Sequence, residues 1–288
     1  MIERWARPLS GLWNGIAEVT RAFYRVLGGV GRLLQDFLNG TWLGHTVHAT
    51  LVDVVVGGTT MALFLDVLRV FFGVDGLADA TTWVLGLSVL AAIGAIITGL
   101  TDFKDTSPGD ARNVAGLHGV TNIIAVIVFA FSLFMRLGGG HDAGFWTLLI
   151  GYLVVSTGAY IGGHVVFRHG YMVNYNAFQK GRRAKEFTPL MAVADLAENT
   201  PTKASLGPTG ILLVRRGDVV HALKETCSHL GGPLAEGRIE GDTIICPWHA
   251  SAFRLSDGTV RHGPATTRQL RYETRVVDGQ VEVLGPLD

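Results

Sequence analysis

The residues best suited to chemistry are Cys227, His229, Cys246 and His249, which read C-x-H, sixteen residues, then C-x-x-H. The chain has two cysteines, and both fall in these short segments. Two thiolates and two imidazoles on paired loops suit a [2Fe–2S] centre in which one iron takes both cysteines and the other both histidines. A structural zinc is the alternative for this donor set. Zinc sites usually carry two cysteines on one short segment and two histidines on another, whereas each loop here has one of each. With both cysteines used as ligands no disulfide framework is left, which points to a reducing compartment.

The flanks narrow this reading. Cys227–Leu234 reads CSHLGGPL and Cys246–Phe253 reads CPWHASAF, followed by Ser256-Asp257-Gly258 and Gly263-Pro264-Ala265. Over about residues 187–288 the chain resembles the Rieske ferredoxin family, the soluble carriers that serve bacterial ring-hydroxylating dioxygenases and the small subunit of assimilatory nitrite reductase. The resemblance implies stacked antiparallel sheets with the cluster at one tip, Cys227 and Cys246 on one iron, His229 and His249 on the other, and single-electron transfer. Respiratory Rieske proteins add a disulfide between the loops; the matching positions here are Gly231 and Trp248. They also place a Ser and a Tyr after the second histidine, where this chain keeps Ser251 but has Phe253.

Charged residues make up 17% of the chain and the mean hydropathy is +0.34, a balance expected of membrane spans. Four apolar segments, about 45–72, 81–101, 115–137 and 145–167, are each long enough to cross the hydrocarbon. Short turns join them, and Gly158-x-x-x-Gly162 offers a small face for packing within one chain or between two. Ahead of them, Leu12, Ile16, Val19, Phe23, Val26, Val30, Leu34 and Phe37 recur at helical spacing, predicting one interfacial amphipathic helix over residues 11–38 with Trp5 and Trp13 as headgroup anchors. Interruptions by Glu3, Arg4, Arg7 and Glu18 argue against a cleavable signal peptide. From Phe187 short strands alternate with glycine-bearing turns. The expected architecture is an amphipathic segment (1–40), an all-α four-span bundle (41–169), a basic and aromatic linker (170–186) and an all-β domain (187–288). The linker, with Tyr171, Tyr175 and Phe178 ahead of a KGRR run, suits either anionic headgroups or a solvated tether.

Lys and Arg crowd the side of the membrane shared by the N-terminus, the 102–114 loop and the β domain, against Arg69 and Arg136 opposite. Positive-inside then places the β domain in the cytoplasm, at the inner membrane. Four histidines lie at that same edge: His45 and His48 on the first span, His118 on the third and His164 on the fourth. Ionisable residues within spans are rare and usually functional. A haem b between two facing helices, a quinone site or another metal fits them, with Asp53 as a possible partner, and so does simple interfacial hydrogen bonding. Asp66 and Arg69 are expected to pair with each other. The membrane half is similar to a four-helix domain that bacteria fuse to Rieske ferredoxins, with His45-x-x-His48 and His118-Gly119 as its motif.

Together these readings describe a membrane-anchored electron carrier working with lipid and a soluble reductase or other redox protein. Its rival is a tethered ferredoxin whose bundle is only an anchor or docking module. The residues after His249 add one histidine, His262, so the two-histidine, one-carboxylate iron of an oxygenase is not expected there. A net charge of zero argues against a nucleic-acid partner. Hydroxyl donors to a cluster favour its reduced, more negative form, and Phe253 removes one. The cluster potential is therefore expected near the low end of the range, about −150 mV rather than about +300 mV. A redox titration followed by electron paramagnetic resonance measures it, and a value near the upper limit would contradict the role given to Phe253.

Overall fold

The computed structural model describes residues 2–177 and 184–287. Of the expected linker, Phe178, Lys180, Arg182 and Arg183 lie outside the described residues. Among the described residues seven α-helices come first: α1 (Ile2–Ala6), α2 (Ser10–Val26), α3 (Gly28–Asn39), α4 (Val47–Phe72), α5 (Leu77–Phe103), α6 (Asp110–Leu137) and α7 (His141–Phe167). Ten strands follow: β1 (Ala184–Ala192), β2 (Thr202–Leu206), β3 (Thr209–Arg216), β4 (Val219–Lys224), β5 (Arg238–Glu240), β6 (Thr243–Ile245), β7 (Ala252–Arg254), β8 (Val260–His262), β9 (Arg271–Val277) and β10 (Gln280–Leu287). The chain divides into two compact units, Met1–Gly31 with Thr46–Tyr171, and Arg32–His45 with Met172–Asp288.

In the helical unit, α4 to α7 have the length and apolar composition to cross a membrane. Helix α4 packs chiefly on α5 and α6 on α7, with α5 joining the two hairpins through α6. The hairpins repeat one another. On α4 the buried positions Val55, Thr59, Ala62 and Asp66 match Ala125, Phe129, Ser132 and Arg136 on α6, each seventy residues later. On α5, Thr81, Leu85, Ser88, Ala92, Ala95 and Thr98 match buried Gly144, Leu148, Gly151, Val155, Gly158 and Ile161 on α7, each sixty-three later. Gly158 faces the Asn122 side chain of α6 and Gly162 the His118 ring, so the small-residue motif serves packing within the chain.

The repeat adds a second partner to an expected ion pair. Asp66 and Arg69 pair at 3.4 Å, and Arg69 also reaches Asp142 at 2.8 Å. The fully buried guanidinium of Arg136 grips both oxygens of Asp66, with Nη1 to Oδ1 at 3.2 Å and Nη2 to Oδ2. A buried carboxylate needs a partner that is itself desolvated and geometrically fixed, and a bidentate arginine supplies one.

The amphipathic segment departs from expectation at two points. It is two helices, α2 and α3, because Gly28 takes φ +54 and breaks the run. Trp13 is no headgroup anchor: it is buried with Ala17 and Phe103, its ring lying where a Cβ on Gly116 would be, and its Nε1 donates to Ala6 O at 3.3 Å. Trp5 is exposed, and so are Leu12, Val19, Phe23 and Val26 along the other side of α2.

The β unit holds a six-stranded antiparallel sheet, β1-β10-β9-β4-β3-β2, and a four-stranded one, β5-β6-β7-β8. Strand alternation splits β3 between two cores. Ile211 and Leu213 join Leu196, Tyr272, Val281 and Val283, while Leu212 and Val214 join Leu223, Ile244, Phe253 and both cysteines. Strand β1 starts at Ala184, paired with Gly285, so the end of the expected linker is sheet. Tyr171 is not available to headgroups either, being buried with its hydroxyl donating to Asp102 O at 2.6 Å.

Asp66→Leu, which strands Arg136 without its partner, is expected to destabilise the bundle by about 3–5 kcal/mol. The double variant Asp66→Leu, Arg136→Leu should recover much of that loss. Thermal unfolding in detergent checks both; a double variant as unstable as the sum of the singles would contradict the pairing.

Candidate functional site

The β unit presents two loops of one design. Cys227 N–H donates to Gly232 O at 2.9 Å, and Gly231 N–H returns to Cys227 O at 2.9 Å. Cys246 N–H donates to Ser251 O at 2.8 Å, and Ala250 N–H returns to Cys246 O at 3.1 Å. The fourth residue after each cysteine has a left-handed backbone, Gly231 at φ +79 and Ala250 at φ +61. One loop leaves β4 and the other joins β6 to β7, so both sheets contribute.

The turns bring the expected ligands together. Both cysteines are buried and free of any disulfide. Their thiols share a hydrogen bond, which is the first cause pushing Cys227 up and Cys246 down to about 7. Backbone N–H groups of Trp248 and His249 also stabilise the Cys246 thiolate, as those of His229 and Leu230 do for Cys227. The rings of His229 and His249 lie 5.1 Å apart, centroid to centroid, with planes at 90°. Two imidazoles bound at about 2 Å to one tetrahedral metal have centroids about 5 Å apart. Paired sulfurs cradled by backbone donors beside such a pair of imidazoles fit an iron–sulfur cluster of mixed ligation.

The surroundings sort the residues expected beside the cluster. Ser251 Oγ accepts from Ala265 N–H at 3.0 Å, which leaves its own hydroxyl proton to donate. Phe253 is fully buried in the same core as the cysteines and offers no hydroxyl. Gln269 went unnoticed in sequence because glutamine has no ligand chemistry. Fully buried, it accepts from Ser228 N–H at 3.0 Å and from Asn176 Nδ2 at 3.0 Å, and donates to Lys224 O and Thr226 O at 2.6 and 2.5 Å. Tyr175, assigned in sequence to headgroups or solvent, instead binds the first loop: its N–H donates to Ser228 O at 3.0 Å and its ring closes on Gly231. No pattern marks such residues before the fold is known.

In the helical unit two of the four expected histidines meet. The rings of His48 on α4 and His118 on α6 lie 6.3 Å apart, centroid to centroid, with planes at 86°. His164 is engaged elsewhere, its Nε2 3.1 Å from Glu3 Oε1 and its ring against His169 at 5.8 Å. That bond is the first cause holding the Glu3 carboxyl well below the usual carboxylate range, with Arg168, 3.0 Å away, adding to it. His45 is exposed ahead of α4. Asp53 is exposed as well, because five residues carry it about 140° round the helix from His48.

Residues 186–277 match the family described as Rieske [2Fe-2S] domain, and residues 44–175 the family described as predicted membrane protein, DUF2231. The anthranilate 1,2-dioxygenase ferredoxin subunit of Burkholderia cepacia is 35% identical over 98 residues, 34% of this chain and 91% of that protein. The chain belongs to the Rieske [2Fe-2S] ferredoxin family. Ferredoxin CarAc of Metapseudomonas resinovorans is 33% identical over 95 residues, 33% of this chain and 89% of that one. Among solved structures, the complex of reduced oxygenase and oxidized ferredoxin in carbazole 1,9a-dioxygenase aligns with 36% of this chain and 97% of its own, at 30% identity and a TM-score of 0.34. By the family match and the ferredoxin relatives, the β unit is a Rieske ferredoxin domain, an electron-transfer module for a [2Fe–2S] cluster, in a multi-pass membrane protein.

Close packing on the Rieske loops is testable at Gly232, where a Cβ would stand 2.8 Å from Cys246 Sγ and 3.1 Å from the Trp248 ring. Gly232→Val is expected to lower cluster content by at least about half, since overpacking there costs about 1–3 kcal/mol. Iron analysis and the paramagnetic signal report it, and full occupancy would contradict the packing.

Proposed function

We propose that this protein is a membrane-anchored single-electron carrier, passing electrons between a soluble redox protein and a site, haem or quinone, at the end of the bundle where His48 and His118 meet. The loops Cys227–Gly232 and Cys246–Ser251 would hold the cluster through Cys227, Cys246, His229 and His249. When bound, the cluster supplies one-electron exchange at a potential set by its ligands and their hydrogen bonds. The chain's residues do the rest. Backbone N–H groups steady the sulfurs, Gln269 keeps the first loop in shape, and Phe253 seals the core side of the site.

His249 is half-exposed beside the exposed Trp248, their rings 6.4 Å apart, and this edge suits docking of a soluble donor or acceptor. Similarity to ferredoxin subunits of dioxygenase systems supports a soluble redox protein on that edge. The excess of Lys and Arg on one side of the spans supports an inner-membrane protein with its N-terminus and Rieske domain in the cytoplasm.

The observation that carries the reading is a second pair of facing histidines, inside the bundle of a chain that already has a ferredoxin domain. Inverted membrane vesicles test it. His118→Ala is expected to leave the Rieske signal intact while slowing its reoxidation through the membrane at least about tenfold, equivalent to about 1.4 kcal/mol in the barrier. An unchanged rate would reduce the bundle to an anchor.

A further inference from the structure

Resting on the reading of the bundle as the second electron site, we infer that His48 and His118 are the two axial ligands of one b-type haem.

The protons of the two rings are already placed. His48 Nδ1 lies 2.8 Å from Ala95 O, and His118 Nδ1 lies 2.8 Å from Gly158 O. A carbonyl oxygen only accepts, so each Nδ1 carries the hydrogen and each Nε2 keeps the lone pair. The Asn122 amide nitrogen, 3.1 Å from Nδ1 of His118, does not change this, because that nitrogen's hydrogen goes to the shorter carbonyl contact. Among the described residues neither Nε2 has a hydrogen-bond partner. A histidine bound to a metal through one nitrogen usually donates the other N–H to such a carbonyl, which fixes the tautomer and aims the ring.

The two sites are copies of one device. Each ring binds the carbonyl of one residue on the neighbouring helix and packs on the glycine one turn later, Gly99 for His48 and Gly162 for His118. A Cβ there would come within 2.9 Å and 2.7 Å of the ring, so both positions are notches that let the imidazole reach the carbonyl. Helices α4 and α6 thus place equivalent rings beside each other from the two halves of the repeat.

Separation and donor count identify the guest. Two imidazoles bound trans at about 2 Å to one metal have centroids about 6 Å apart, against about 5 Å on a tetrahedral metal. The bundle pair is at 6.3 Å and the Rieske pair at 5.1 Å. A trans pair leaves the equatorial positions to other donors. Among the described residues of the helical unit, the one group of three His, Cys, Asp or Glu side chains able to share an ion is Glu3, His164 and His169, and it includes neither His48 nor His118. The equatorial nitrogens must therefore come with the guest, as in an iron porphyrin. Both cysteines lie in the Rieske domain, so no thioether bond can hold the macrocycle and it is a b-type haem. A quinone fits less well, because its carbonyls need donors and each Nε2 is an acceptor.

The test uses the full-length protein, expressed with a haem precursor and purified in detergent, with haem and the Rieske signal measured on one sample. One haem b per chain is expected, with a low-spin ferric signal of the strong anisotropy that near-perpendicular axial rings produce. His48→Gly and His118→Gly should each lose the low-spin signature and regain it when imidazole is added, a rescue that a purely structural histidine would not show. If the variants do not fold, the wild-type spectrum and haem count decide. Protein with a full Rieske signal that takes up no haem, even when incubated with haemin, overturns the inference. So does low-spin haem that survives in a folded double variant. Haem-free protein whose cluster still exchanges electrons with quinone would sink this inference but not the electron-transfer reading; haem that never exchanges electrons with the cluster would do the reverse.

Discussion

Inside hydrocarbon a polar side chain must find its partner within the protein, and in this bundle the buried carboxylate of one half is answered by a buried arginine of the other. Asp66 on α4 and Arg136 on α6 stand at equivalent places in the repeat and grip each other. His48 and His118, each eighteen residues or about five turns earlier on its helix, stand at equivalent places too, their rings 6.3 Å apart and each bound to a carbonyl of its own hairpin. Buried apolar positions fill the distance between, including Val55, Ala62, Ala125 and Phe129. The bundle is thus pinned at one end by opposite charges and carries at the other two imidazoles whose Nδ1 atoms are held by backbone carbonyls. The first arrangement is complete in itself. The second is where we place the guest of the proposed electron site.

The Rieske domain meets the same demand by different means. Its loops close on their own backbone and offer N–H groups to the sulfurs, which favour the thiolates although Glu225 beside Cys246 opposes them. Gln269 matches the remaining polar groups of the first loop from the chain segment just before β9. Both centres therefore rest on backbone geometry. Carbonyls of α5 and α7 aim the bundle histidines, and turn amides aim the cluster sulfurs.

What could be read from sequence follows the same division. The cluster ligands were legible because only cysteine and histidine supply such donors, and their spacing encodes two short loops. Four spans were legible because apolar length is a local property. The repeat was not, since its halves share positions rather than residue types: aspartate answers arginine at 66 and 136, and threonine answers phenylalanine at 59 and 129. Periodicity marked Trp13 as part of an apolar face but could not tell a lipid-facing side from one seated over Gly116. Four histidines at one edge looked equivalent in sequence. Only the fold shows Glu3 taking His164 while His48 faces His118.

The central claim, that one chain carries two separate one-electron centres, is tested most directly by a potentiometric titration of the intact protein. Optical and paramagnetic spectra of the same sample, taken across the whole range, count the electrons and assign each to its centre. The account predicts two one-electron waves per chain, one following the Rieske signal and the other an absorbance that the isolated histidine variants lack. A single wave, belonging to the Rieske signal alone, would contradict it.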